Sequence, residues 1–426
     1  MKKKFSAFCL LSLIIIGLVS CNPNQKEKKK LDDRTIVHKI PFGHGKNISL
    51  PHLVSNNGTT LISWVEKVND STTQFNYATL EDDKWSSPNE IIKGHNWFVN
   101  WADYPMITEN NGTLLAHFLK KSSNETFAYD IKLNLLKKND TLWKTELPLH
   151  MDGTKTEHGF VTLLPYKEDS FFITWLDGRN MAVGSKMDSG HMNHQGTMSI
   201  RAAEIDKNGT VVEDILLDGK TCSCCQTTAA MTSNGPIVVY RDRTDEEIRD
   251  IAITRLVDGN WTTPKFIHND GWVINGCPVN GPKVDAEGND VAVAWFTAAN
   301  DEAKVMVTFS ENAGADFLNP ILISNQGALG RVDIVLTDQE NAIVSWMETA
   351  DDTTYLKAMK VNKFGNKFEP VLISEMDLSR SSGFPQMELL GNKLLFAWTN
   401  VGDGTSEIET AYVDLEAFSN QPLSPF

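Results

Sequence analysis

Apolar residues fall in short alternating runs along the chain, and seven of those runs share one form. Each carries an aromatic residue near its end and then gives way to polar or charged positions, as in Leu61-Ile62-Ser63-Trp64-Val65-Glu66 and Val291-Ala292-Val293-Ala294-Trp295-Phe296. The seven aromatics are Trp64, Phe118, Trp175, Tyr240, Trp295, Trp346 and Trp398, and successive ones lie 51 to 65 residues apart. Turn residues precede each run; a second alternating strand and a shorter Trp/Phe-x-x-Pro strand follow it. A period of two over four to eight residues predicts strands rather than helices. A strand-rich unit repeated about every fifty residues predicts an all-β fold, a β-propeller of four-stranded blades. Seven markers predict seven blades; six is the count if one marker belongs to an added hairpin. A β-sandwich or two separate sheet domains is the competing architecture, but no Pro-, Gly- or Ser-rich linker divides the repeats.

The last repeat stops after three strands, at Tyr412, while Thr35–Ile40 has no repeat of its own. That N-terminal strand is expected to supply the missing outer strand and close the ring, so that no long sheet edge stays open. The propeller is then expected over 34–415, with 416–426 as a C-terminal tail.

The first twenty residues do not fit the repeat. Lys2, Lys3 and Lys4 precede an apolar run, Phe8 to Val19, that is short for a membrane span, as in a signal segment. Leu18-Val19-Ser20-Cys21 matches a bacterial lipoprotein cleavage box, which makes Cys21 the lipidation site and 21–33 a solvated tether. Acyl chains on one cysteine anchor a protein stably when there is more than one of them. The chain is therefore expected in a bacterial cell envelope, touching the bilayer through its lipid alone, as a monomer. Net charge is −15, and −18 once Lys2, Lys3 and Lys4 are removed with their segment. That balance argues against nucleic acid as a partner.

In a propeller the loops entering the innermost strands share one face with the loops leaving the second strands. This assigns His95–Asp103, His150–His158, Thr221–Gln226, Asp270–Asn280, Gly327–Arg331 and Asp377–Phe384 to one mouth, with Arg179, Arg241, Arg243 and Glu348 at strand ends. Trp97, Trp101 and Trp272 in these loops either plug the ring or offer a platform to a sugar or another flat ligand. Outside the signal segment and Cys21, four cysteines remain: Cys222, Cys224, Cys225 and Cys277. An even number in an oxidising compartment points first to disulfides. The alternative is a thiolate site for copper or zinc, with Met187, His191, Met192, His194 and Met198 as further soft ligands; otherwise no metal or cofactor is expected. The charge run Asp242 to Asp250 reads either as a solvated hairpin or as an arginine-lined rim.

Ser310-Glu311-Asn312-Ala313-Gly314-Ala315-Asp316-Phe317 resembles the Asp-box of sialidase-type propellers, with Asn312 where the box has Asp and Phe317 where it has Trp. Together with Trp175-Leu176-Asp177-Gly178-Arg179, the Cys-x-Cys-Cys loop, Tyr240-Arg241-Asp242-Arg243 and Gly276-Cys277-Pro278-Val279-Asn280-Gly281-Pro282, the chain resembles a bacterial subgroup of sialidase-like (BNR repeat) propellers. The resemblance implies glycan binding or glycoside hydrolysis at the mouth, with arginines gripping a carboxylate in bidentate fashion, a Tyr/Glu nucleophile pair and an Asp acid/base. It places these roles on Arg331 and Arg380 with Arg241 or Arg179, on Tyr240 with Glu246 or Glu247, and on Asp103. The family's early Arg-Ile-Pro motif is missing: the first blade reads Leu50-Pro51-His52-Leu53. The arginine set is thus incomplete, and two other functions stay open, a protein-recognition scaffold and a metal-handling lipoprotein.

Overall fold

The computed structural model describes residues 36–182, 186–188, 191–193, 196–402, 404–418 and 423. The expected signal segment, Cys21 and the tether lie outside the described residues, as do the side chains of 182–195 with Met187, His191, Met192 and His194. Seven antiparallel sheets follow one another in chain order. Their innermost strands are Ile48–Asn56, Ile107–Asn110, His158–Tyr166, Thr228–Thr232, Lys283–Glu287, Ala328–Leu336 and Gln386–Leu390. The expected ring closure is present: His38–Ile40 pairs antiparallel with Thr405–Asp414, placing His38 opposite Tyr412 and Ile40 opposite Thr410. In blades 1 and 4 the outer strand is split in two, into Lys84–Trp85 and Asn89–Gly94, and into Asn260–Trp261 and Lys265–Phe266. Pro88 and Pro264 fall at the splits, where a residue without an N–H cannot continue the ladder.

All seven marker aromatics are buried, none more than 2% exposed. Alternation along the second strand explains the charge that follows them. A carboxylate two residues on points to the same face and takes the indole N–H: Trp175 Nε1 donates to Asp177 at 2.9 Å and Trp346 Nε1 to Glu348 at 2.6 Å. Burial of these two rings thereby leaves no unpaired donor, whereas Trp64 Nε1 is buried without a partner. The Asp-box segment forms the turn between the third and fourth strands of blade 5. Ser310 Oγ accepts from the Gly314 N–H at 3.0 Å, Asn312 Oδ1 accepts from Asp316 N–H at 2.8 Å, and Phe317 packs into the core between blades 4 and 5.

Each blade is tied to the next by a side chain. Asn56 donates to the Glu109 carbonyl (2.9 Å) and Asn110 to that of Ser170 (2.8 Å), while the Thr162 hydroxyl donates to that of Thr227 (2.9 Å). Thr228 accepts from Val284 N–H (3.3 Å), Asp285 from Leu336 N–H (2.7 Å) and Asp333 from Met387 N–H (2.9 Å). Leu50 N–H donates to Thr399 of the last blade at 3.2 Å, completing the circuit.

Closing the ring should contribute measurably to stability. Ile40 is 4% exposed within the closing strand, whereas Ile36, just before it, is 44% exposed. Ile40→Ala is expected to cost about 2–4 kcal/mol and Ile36→Ala less than about 0.5 kcal/mol, read from urea denaturation of the two variants.

Candidate functional site at the propeller mouth

Three consecutive residues of one loop hold the mouth together. Asn100 caps the loop by accepting from Ala102 N–H at 2.9 Å. Trp101 stacks on Phe384 of the last blade (5.6 Å between centroids), the Ala102 carbonyl accepts from Gln226 Nε2 at 2.7 Å, and Asp103 Oδ1 accepts from Phe160 N–H at 2.7 Å. Gln226 in turn accepts from Gly281 N–H at 3.0 Å. A Cβ at Gly281 would fall 2.2 Å from the Gln226 carbonyl oxygen, so that approach requires glycine. Asn280 continues the chain of contacts, accepting from Arg331 N–H at 2.9 Å. Loops of blades 2 to 7 therefore meet around Trp101, Gln226 and Asn280.

Asp103 belongs to a phenol–carboxyl cluster. Tyr129 Oη lies 3.0 Å from Asp103 Oδ2 and 2.8 Å from Glu157 Oε1. A phenol has one proton to donate, so both contacts are hydrogen bonds only when one carboxyl is protonated. Burial pushes the Asp103 carboxyl up to about 7. It pushes that of Glu157 up to about 8, the Asp103 charge adding to the effect. Tyr129 is fully buried beneath Phe98, stacked at 4.0 Å, while Glu157 keeps some exposure. Gly159 makes room for the cluster, since a Cβ there would sit 2.0 Å from Asp103 Oδ2. Beside it His150 and His158 stack at 3.9 Å, with Asp152 accepting from His150 Nδ1 at 2.8 Å.

The four candidate arginines do not converge. Arg331 and Arg380 do share one partner, their guanidinium groups lying 5.1 and 5.7 Å from the Trp101 ring. Arg331 donates to Ser382 Oγ (2.7 Å) and to the Gly383 (2.8 Å) and Ser379 (3.3 Å) carbonyls. Among the described residues neither guanidinium has a carboxylate partner. Burial, then repulsion from Arg380, brings Arg331 down to about 10. Arg241 has a different job: 1% exposed, it gives its N–H groups to the carbonyls of Arg249, Asn280 and Phe296 and packs over Trp272. Arg179 is spent on Asp177, two N–H donors at 2.7 Å.

Other residues expected at the site have structural partners instead. Tyr240 is buried in its blade and donates to Asp218 at 2.6 Å, away from Glu246 and Glu247. Glu247 instead pairs with Arg243 and Arg249, so the charge run is a laced hairpin. Trp272 is 6% exposed and Trp97 packs on Phe118 at 4.4 Å, while Trp101 is only partly buried. The disulfide expectation for Cys222, Cys224, Cys225 and Cys277 is corrected: all four are free cysteines. Cys222 Sγ lies 3.7 Å from both Cys224 Sγ and Cys225 Sγ, far beyond the roughly 2.05 Å of an S–S bond. Hydrogen bonds from the neighbouring thiols, and then Arg249, hold the Cys222 thiol well below its ordinary range. Tyr129, Glu157, Gln226 and Arg249 carry the geometry and were not singled out from sequence for these roles.

The raised acids make stability depend on pH in a defined sense. Between their ordinary values, 3.8 and 4.5, and about 7 to 8, Asp103 and Glu157 hold more protons folded than unfolded. Their contribution is thus full below about pH 4 and is lost as pH rises through about 7 to 8. Asp103→Asn, which cannot ionise, is expected to flatten the fall in urea-unfolding free energy between about pH 5 and about pH 8; an unchanged slope would place the titration elsewhere.

No protein-family model matches the sequence, and no curated protein sequence matches it. Among solved structures the chain is similar to the α-L-arabinofuranosidase Arb93A from Fusarium graminearum in complex with an iminosugar inhibitor, at 11% identity and a TM-score of 0.50, over 91% of this chain and 99% of that one. It is similar to an ulvan lyase of polysaccharide lyase family PL25 bound to -[GlcA(1-4)Rha3S]-, at 12% identity and TM-score 0.53, over 89% and 95%. It is also similar to the phage phi92 endosialidase, at 9% identity and TM-score 0.51, over 89% and 69%. At these identities the likeness is one of fold: the chain is a seven-bladed β-propeller, with sialidases and other glycan-acting propellers among its structural neighbours.

Proposed function

We propose that this propeller binds and processes an acidic oligosaccharide at its mouth. The observation that carries the reading is the Asn100–Asp103 loop. In three residues it joins an aromatic face flanked by two guanidiniums without a carboxylate partner to a carboxyl that shares a phenol proton with Glu157. Flat indole faces pack against sugar rings, and arginines beside them favour a carboxylate or sulfate substituent. The structural neighbours support the same class, since one of them holds a glucuronate-containing, sulfated repeat. Glu157 is the reacting group in this reading. Protonated up to about pH 8 and partly exposed, it can give its proton to a glycosidic oxygen as a general acid. Tyr129 and Asp103, both buried, act through it: the phenol orients the Glu157 carboxyl, and Asp103 orients the phenol.

A panel of neutral, uronate-, sialate- and sulfate-bearing oligosaccharides tests this by calorimetry and by release of reducing ends. Glu157→Gln is expected to lower turnover by about 10²-fold or more while leaving binding in place. Arg380→Ala is expected to weaken binding of the acidic ligand about tenfold and of neutral ones little, the loss of one charge-assisted contact. A chain that binds no acidic oligosaccharide more tightly than its neutral counterpart would contradict the reading.

The same proposal places the propeller on an envelope membrane through lipid on Cys21, supported by Leu18-Val19-Ser20-Cys21 and the tether after it. Metabolic labelling with a fatty-acid analogue in a bacterial host is expected to mark the wild type and to be lost in Cys21→Ser.

A further inference from the structure

The cysteine cluster is built for something other than glycan contact, and its geometry stands independently of the proposed function. Cys222, Cys224 and Cys225 put their three sulfurs within 4.8 Å of one another. Two of those separations are 3.7 Å. Four sulfurs at about 2.3 Å from a zinc ion stand about 3.8 Å apart along the tetrahedron's edges. The two 3.7 Å separations match the edges of such a shell and are too long for a bond between sulfurs. Cys277, from the loop entering the next blade, lies beside Cys224 but outside that group of three sulfurs. Its loop is clamped in place from behind: Ile248 bridges to Val273, Ile274 N–H donates to the Glu247 carbonyl at 3.2 Å, and Arg249 N–H donates to the Trp272 carbonyl at 2.9 Å. Cys222 is fixed from the other side, its N–H donating to the Arg241 carbonyl at 3.1 Å.

The surroundings suit a negatively charged centre. Arg249, 4% exposed, donates to Cys222 Sγ at 3.2 Å, and its Nε is buried without a partner. A divalent ion among four thiolates leaves a net charge of about −2, and a buried guanidinium beside a ligand sulfur is the kind of outer partner that orients and balances such a site. We infer that Cys222, Cys224 and Cys225 form a thiolate site for one soft d10 cation, zinc(II) or copper(I), and that Cys277 moves in as the fourth ligand when the ion binds, pinning the blade 4 and blade 5 loops together at the mouth. Coordination is a ligand exchange: each thiol gives up its proton to solvent as its sulfur binds, and nothing is oxidised.

The test uses full-length protein purified under reducing, anaerobic conditions. Native mass spectrometry and elemental analysis are expected to find about one zinc or copper ion per chain. Competition with a zinc chromophore in one arm and a copper(I) chelator in the other tells the two apart. Cobalt(II) loading is expected to give an intense near-ultraviolet thiolate charge-transfer band. Thiol titration is expected to read four blocked thiols with metal bound and four reactive ones after chelation. Cys277→Ser, at an exposed position that folding tolerates, is expected to weaken metal binding by about 100-fold or more; unchanged affinity would overturn the fourth ligand. Arg249→Lys serves as a second variant that keeps all four sulfurs, with a cobalt band expected at reduced affinity. Protein that binds none of the three metals, or whose mass shows the four cysteines closed into two disulfides, would overturn the site.

Discussion

Side chains of the innermost strands reach backbone groups one blade on, and the rest of the structure depends on that circuit. A single four-stranded sheet cannot cover both of its faces, so each blade needs both neighbours before its aromatic marker is out of water. The hooks fix how adjacent blades are set. Asp285 and Asp333 do this with carboxylates, which accept the N–H groups of Leu336 and Met387. The acidic residues near the axis, joined by Glu388 and countered by Lys283, thus have backbone partners and need no ion to explain them. The N-terminal strand supplies the last pairing, so that two ends of the chain far apart in sequence share one sheet.

With the blades fixed, the loops at one end have little freedom over what they meet. The mouth divides into two sectors joined by the Asn100–Asp103 loop. Over the last blades lie cations and rings, with Arg331, Arg380, Trp101 and Phe384 in contact. Over blades 2 to 5 lie the carboxyls whose pKa burial raises, the histidine pair and the sulfurs. On the proposals above, one sector would take an anionic group and the other would serve proton transfer and soft-metal coordination. Gln226 is the residue between them, bonded to Ala102 on one side and Gly281 on the other. Its position follows directly after the cysteine loop, so the order of that loop bears on the whole mouth.

How much of this could be read from the sequence follows from the range of each interaction. Alternation and the spaced aromatics are local signals, and they gave the strands, the blade number and the closing strand. Trp175 followed by Asp177 is legible for the same reason, since both ends of the hydrogen bond lie on one strand. Tyr129 and Glu157 are not, because a single tyrosine in a third strand and a single glutamate before the next blade acquire meaning only when the fold brings them to 2.8 Å. Arg241 shows the converse. Its neighbours in sequence suggested a ligand clamp, yet three backbone carbonyls from 249, 280 and 296 use its donors, and no local pattern announces them. The cysteines could be grouped by loop, but neither their spacing nor their number says whether sulfurs will sit at bonding or coordinating distance.

The claim at the centre of this account is that one mouth, spanned by the Asn100–Asp103 loop, is where the ligand sits. A crystal structure of the protein soaked with a uronate- or sialate-bearing oligosaccharide addresses it most directly. The account predicts a sugar ring stacked on Trp101, its acidic group within hydrogen-bond reach of Arg380, and a glycosidic oxygen facing Glu157. Electron density for the sugar on the outer strands or the opposite face, with the mouth unchanged, would contradict it.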